Sequence, residues 1–191
     1  MFKPTLRTLD PLRESARQAA TVPHGHFRLM MCTGTGCVAG GAFGLKAQLE
    51  QEIERQGLRD RVSIVATGCN GFCGQGPLFV VEPDHTFYGW LKPDDIPRLV
   101  HEHLLKGRPV ESSMFVSPVT QKPVASVAEI PFFEKQHLIV LRNRGVIDPE
   151  RIEDYLARDG YAALEKALGS MMPAQVIEEI ANAGLRGRGG A

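Results

Sequence analysis

The sequence has little that would mark a membrane-spanning, secreted or nucleic-acid-binding protein. No apolar run approaches the roughly 20 residues needed to cross a bilayer; the longest, LFVV and LIVL, are strand-sized. The N-terminus MFKPTLRTLD lacks the apolar core and small-residue cleavage site of a secretory signal, so a cytoplasmic location and no direct membrane span are expected. Neither sign of charge is in excess. The 22 Lys and Arg balance 22 Asp and Glu, which leaves no basic stripe for a phosphate backbone and no acidic tail, so nucleic acid is not an expected partner. Cysteine is scarce too, and with no signal toward an oxidising compartment the four present are not expected to form structural disulfides.

What is present is organised in segments. Residues 1–26 hold a short amphipathic pattern, LRTLDPLRESARQAA, that suits a helix and carries no visible chemistry. FRLMMC reads as a buried strand. Leu45, Leu49 and Ile53 recur at i, i+4 and i+8 on one helical face, and Gly57 can end that helix in the left-handed conformation. RVSIVAT, PLFVVEP and HTFYGWL read as three more strands, with Pro83, Asp84 and His85 supplying a hairpin turn between the last two. In DDIPRLVHEHLLKG a final helix buries Ile96, Leu99, Val100, His103 and Leu104; Pro97 is tolerated in its first turn and Gly107 closes it. The order β-α-β-β-β-α, with a parallel crossover followed by a hairpin, is that of an α/β, thioredoxin-like mixed sheet with flanking helices over 27–107.

Residues 108–136, with Pro109, Pro118, Pro123 and Pro131 and little periodicity, read as an extended Pro-rich linker. Beyond it, 137–191 forms a short, mainly helical segment. LIVLR suits a short strand, Asp148 and Pro149 a helix N-cap and first helical position, and YAALEKALG and PAQVIEEIANAG two further helices.

All four cysteines fall in two Gly-rich loops, CTGTGC from Cys32 to Cys37 and GCNGFCGQG with Cys69 and Cys73. Each pair follows a predicted strand. In a strand–helix–strand unit those strand ends lie side by side, so four thiolates can converge on one site. Zinc hooks and dithiol redox motifs favour C-x2-C, whereas here the spacings are C-x4-C and C-x3-C. A [2Fe–2S] cluster uses four thiolates and tolerates looser loops. It is the favoured reading, with a structural zinc module and a thiol redox sensor as alternatives. No charged residue lies between Met31 and Leu45 or between Ala66 and Val81, so backbone N–H dipoles must offset the negative charge of such a centre. Gly34, Gly36, Gly68, Gly71, Gly74 and Gly76 let that backbone come close.

Other candidates are weaker. His24 with His26, and His101 with His103, are i, i+2 pairs of poor ligand geometry and read as solvent or rim positions. Tyr88 and Trp90 read as core or edge packing. The carboxylates are scattered without a catalytic pair, so no catalytic residue is assigned.

CTGTGCVAGGA together with ATGCNGFCGQGPLFVVEPDHTFYGWL resembles the thioredoxin-like [2Fe–2S] ferredoxin family, which includes the small iron–sulfur subunit of respiratory NADH dehydrogenase and modules of NAD-linked hydrogenases and formate dehydrogenases. The resemblance places the cluster ligands on Cys32, Cys37, Cys69 and Cys73. LRNRGVIDPERIEDYLARDGYAALEKAL and VIEEIANAGLRGRGGA resemble the opening of the flavin- and NADH-binding subunit of the same enzymes. There the resemblance implies a loop that cradles FMN and nucleotide phosphates, at Arg186, Gly187, Arg188, Gly189, Gly190 and Ala191. Because it covers only the opening of that subunit, FMN and NAD(H) are expected only if the flavin domain is completed elsewhere. The implied function is one-electron transfer within an NAD(P)H-linked oxidoreductase, with other subunits of that complex as partners. The chain alone is not expected to catalyse a reaction.

Overall fold

The computed structural model describes residues 8–187 and 189, which divide into two compact units: residues 21–152 and, separately, the two terminal segments. The larger unit is built on β1 (Phe27–Cys32), β2 (Val62–Thr67), β3 (Phe79–Glu82) and β4 (Thr86–Tyr88). They pair in the order β2-β1-β3-β4. β1 and β2 are parallel, and β3 runs antiparallel to both β1 and β4. One strand reversed in a sheet of this order is the thioredoxin-like arrangement expected. β1 is buried along its C-terminal half because helices cover the sheet, which explains its continuous apolar run rather than an alternating one.

A short helix α2 (Thr35–Ala39) and the crossover helix α3 (Ala42–Arg55) join β1 to β2. Leu45, Leu49 and Ile53 form the buried stripe of α3, and Gly57 beyond its end has φ +68°. After β4, α4 (Ile96–Leu99) widens into a π-helical turn over Val100–Leu105. That turn carries His103, which is 1% exposed, so the rim reading of this residue is corrected. Its neighbour His101 stays half-exposed. Tyr88 is in the core as expected, whereas Trp90 is 65% exposed.

The Pro-rich stretch 108–136 packs along the edge of the sheet. A two-residue hairpin, β5 (Phe115–Val116) with β6 (Pro123–Val124), precedes α5 (Pro131–Glu134). Isolated bridges link Tyr88 to Met114 and Thr86 to Ser126, and Phe87 N–H donates to Ala125 C=O at 3.0 Å. The segment therefore covers backbone groups that β4, as an edge strand, would otherwise expose. Ile130 is fully buried in the same core. LIVLR, expected as a strand, is instead irregular and turning, with Val140 89% exposed. Asp148 caps a turn by accepting from Glu150 N–H at 2.9 Å, and the helix starts later, at α6 (Ile152–Ala157).

The second unit holds α1 (Asp10–Ala20), most of α6, α7 (Ala162–Ser170) and α8 (Pro173–Asn182). Its tie is Arg13, buried on α1, whose guanidinium meets Glu165 at 2.7 Å and Asp10 at 3.0 Å and donates from Nε to Gly160 C=O at 3.3 Å. Among the described residues, no helix is long and apolar enough to cross a membrane.

Candidate metal centre

The parallel ladder of β1 and β2 ends with Cys32 opposite Thr67, so the chain leaves both strands at the same end of the sheet. Thr33 N–H donates to Thr67 C=O at 3.0 Å and the Thr33 hydroxyl donates to the same oxygen, which ties the two loop roots together. From these roots the first loop carries Cys37 on α2 and the second carries Cys69 and then Cys73, at the start of a 3-10 turn over Cys73–Gln75.

The four thiols are free and grouped two and two. Cys32 and Cys37 are buried, Cys69 and Cys73 exposed. Burial, followed by hydrogen bonding to Cys32 and its charge, pushes the Cys37 thiol up to about 12; the charge on Cys73 across the loops acts in the same direction. The Cys73 thiol is raised by the charge on Cys69, then by their hydrogen bond, and more weakly by burial and Cys32. Both shifts favour the protonated thiol, and a bound metal would displace that proton from Cys37 and Cys73.

Glycine makes the approach of the two loops possible. A Cβ on Gly34 would lie 2.8 Å from Cys69 Cβ and 3.1 Å from its Sγ, and one on Gly76 would lie 2.7 Å from Cys37 Sγ. A Cβ on Gly36 would sit at 3.5 Å from Cys73 Sγ, which is ordinary contact. The expected backbone donors are present as well. Asn70 N–H donates to Cys32 Sγ and the next N–H, from Gly71, donates to Cys69 Sγ, both at 3.3 Å. Two successive amides thus serve one sulfur of each pair, an anion-binding turn that Gly71 completes at φ +88°.

Aromatic packing anchors the second loop. Phe72 stacks on Phe132 with centroids 4.7 Å apart and meets Phe133 and Phe115 at 5.4 and 5.5 Å. Trp90, exposed, donates from its indole to Gly74 C=O at 2.6 Å and from its backbone to Gln75 C=O at 2.7 Å, bracing the turn after Cys73. Sequence reasoning missed this role, because a lone Trp after a strand gives no local sign of what it braces.

The donor set fits a two-iron centre. Four soft thiolates in two pairs, N–H groups directed at sulfur and bare Cα atoms where the loops close in are what a binuclear iron–sulfur unit requires. Among the described residues, no three His, Cys, Asp or Glu side chains are arranged to hold a single metal ion. The histidine pairs do not join the site: His24 is exposed, and His103 is engaged by Tyr88 and Asp84. Of the C-terminal positions, Arg186, Gly187 and Gly189 are exposed, while Arg188, Gly190 and Ala191 lie outside the described residues.

The family profile of thioredoxin-like [2Fe-2S] ferredoxins matches residues 17–104. Over 58 residues the chain is 53% identical to the NADP-reducing hydrogenase subunit HndC of Solidesulfovibrio fructosivorans, covering 30% of this chain and 12% of that one. It is 48% identical over 48 residues to a 2Fe-2S ferredoxin of Aquifex aeolicus, covering 25% of this chain and 43% of that one. It is 45% identical over 53 residues to a component of the NADH-quinone oxidoreductase of Rhizobium meliloti, covering 28% of this chain and 13% of that one. The matched stretches thus span less than half the length of each of these relatives.

Proposed function

We propose, on the premise that residues 17–104 are a thioredoxin-like [2Fe–2S] ferredoxin domain, that this chain is a one-electron carrier whose cluster is held by Cys32, Cys37, Cys69 and Cys73. The observation that carries the reading is the pairing of cysteines at adjoining ends of two parallel strands, with amides of a single turn donating to a sulfur of each pair. When bound, a [2Fe–2S] cluster supplies reversible uptake of one electron. The chain's own part is to hold and tune it. Asn70 and Gly71 donate to sulfur, Gly34 and Gly76 admit the neighbouring loop, and Phe72 fixes the second loop to the core. Burial of Cys32 and Cys37 against exposure of Cys69 and Cys73 gives the site one solvent-facing side, through which a redox partner would approach.

The relatives' names support placing this carrier in an NAD(P)H-linked oxidoreductase complex, with other subunits of that complex as partners. Residues 137–191 are then the opening of a flavin- and NADH-binding domain, with Arg186, Gly187, Arg188, Gly189, Gly190 and Ala191 as its phosphate-contacting loop once the domain is completed. No side chain is assigned to bond-making, and the cytoplasm is the proposed location.

The test is anaerobic purification with iron and acid-labile sulfide analysis, followed by electron paramagnetic resonance after one-electron reduction. Equal amounts of iron and sulfide, and a paramagnetic signal on reduction, are expected. A colourless, zinc-loaded or metal-free native protein overturns the reading. Cys73→Ser should impair cluster retention because a serine oxygen is a harder ligand than thiolate.

A further inference from the structure

The cysteine loops contain no charged residue, yet a guanidinium from far along the chain lies against one of them. A Cβ on Gly71 would be 2.5 Å from Arg144 Nη1, 2.7 Å from its Cζ and 3.1 Å from its Nε, so the guanidinium occupies the space that a side chain at Gly71 would fill. The following residue, Gly145, at φ +70°, occupies the adjacent position: its Cβ would be 2.8 Å from Asn70 Nδ2. Arg144 and Gly145 therefore cover the Asn70–Gly71 turn, whose amides donate to Cys32 and Cys69.

Arg144 is held in this place. Nη2 donates to Gln136 Oε1 at 3.1 Å, and Cζ stands 5.9 Å from the centroid of Phe133, whose ring packs edge-on against Phe72. Among the described residues no carboxylate pairs with Arg144. A permanent positive charge, half-buried and without a carboxylate partner among the described residues, thus sits against the turn whose two amides donate to sulfur.

We propose that Arg144 is the counter-charge of the iron–sulfur centre and raises its reduction potential. The inference rests on the cluster reading above. Adding one electron makes the cluster one unit more negative, while Arg144 neither gains nor loses a proton. The fixed cation therefore favours the reduced state over the oxidised one. Arg144 is a positioning and tuning residue; it exchanges no electron itself. The covering segment, 143–145, lies beyond the family-matched stretch of residues 17–104, so the potential of the ferredoxin domain depends on the sequence that follows it.

The experiment is a redox titration followed by electron paramagnetic resonance on the full holo chain, with iron and sulfide measured in each sample, for wild type, Arg144→Gln and Arg144→Lys. At full iron content Arg144→Gln should move the midpoint to a more negative value, by about a tenfold change in the equilibrium constant, or ~59 mV for one electron. Arg144→Lys should stay closer to wild type. A wild-type midpoint in iron-replete Arg144→Gln overturns the proposal, as does an Arg144→Lys midpoint that falls as far as that of Arg144→Gln. If Arg144→Gln loses iron, retention by Arg144→Lys supports a role for charge, and loss from both variants overturns it in favour of shape. Absence of iron from the wild type overturns the cluster reading and this proposal with it, a result distinct from equal midpoints in iron-replete proteins.

Discussion

The Tyr88 hydroxyl stands 2.9 Å from His103 Nδ1, with both side chains closed off from solvent. Val110 N–H donates to the phenol oxygen at 2.9 Å, which leaves the phenol proton free to reach Nδ1. The carboxylate of Asp84 accepts, so His103 Nε2 donates to Asp84 Oδ2 at 3.1 Å. The chain of contacts joins β4, the π-helical turn, the hairpin turn before β4 and the segment that follows the π-helical turn. Tyr88→Phe should destabilise the protein by about 1–3 kcal/mol, because it leaves buried polar groups unpaired; the urea midpoint checks this. Burial, the main cause, pushes the Tyr88 hydroxyl up to about 12 from an ordinary value of 10.0. Its contribution to stability is complete below the ordinary value and is lost as pH rises toward the folded one. The alkaline slope of stability should therefore flatten in Tyr88→Phe.

Gly34→Ala should impair iron retention while leaving the far-ultraviolet circular dichroism of the sheet unchanged. The added Cβ would stand 3.0 Å from the Cys69 backbone as well as against its side chain, so the second cysteine loop must move. Gly44→Ala on α3 is the control. A Cβ there meets nothing within 4 Å, and replacing a helical glycine should stabilise by about 0.5 kcal/mol with iron content unchanged.

Glu102 controls part of the acid limb. A hydrogen bond from Lys106 is the largest cause that holds its carboxyl at about 2, below the ordinary 4.5, with His101 and Arg108 adding to it against the opposing cost of burial. A depressed carboxyl favours the folded state above its ordinary value and loses that contribution as pH falls toward the folded one. Glu102→Gln should therefore show a shallower fall in thermal midpoint than wild type between pH 4.5 and about 2. The difference should be small, since these are surface pairs.

Glu165→Ala should release α1. It removes the acceptor of Leu9 N–H at 2.9 Å and the partner of buried Arg13, leaving a guanidinium without its strongest counter-charge. Limited proteolysis should cut within residues 8–20 several-fold faster than in wild type, and cutting at the wild-type rate would show that other contacts hold the helix.

The strands and the crossover helix were legible because their signals are local: four-residue apolar runs, a stripe at i, i+4 and i+8, and turn residues between them. The convergence of the cysteine pairs was legible for the same reason, since parallel strands joined by a helix must end together. LIVLR shows the limit. Its residues favour a strand, but a strand needs a neighbour, and the edge beside β4 is taken by segment 113–127. That segment itself looked like a linker because prolines hide the long-range bridges it makes. Burial of His103 was legible from its place on the apolar face of the last helix, against the rim reading of the histidine pair, whereas Arg144 was hidden by its distance along the chain from the turn it covers.

Cys32 and Thr67 face each other on the last rung of the parallel ladder. The separation of the two cysteine loops at their roots is thereby fixed by hydrogen-bonded backbone, independently of the length of the helical excursion between the strands. The length of α3, beyond Cys37, can change without moving that rung, whereas inserting one residue into β1 would reverse its alternation of faces and turn Cys32 to the far side of the sheet.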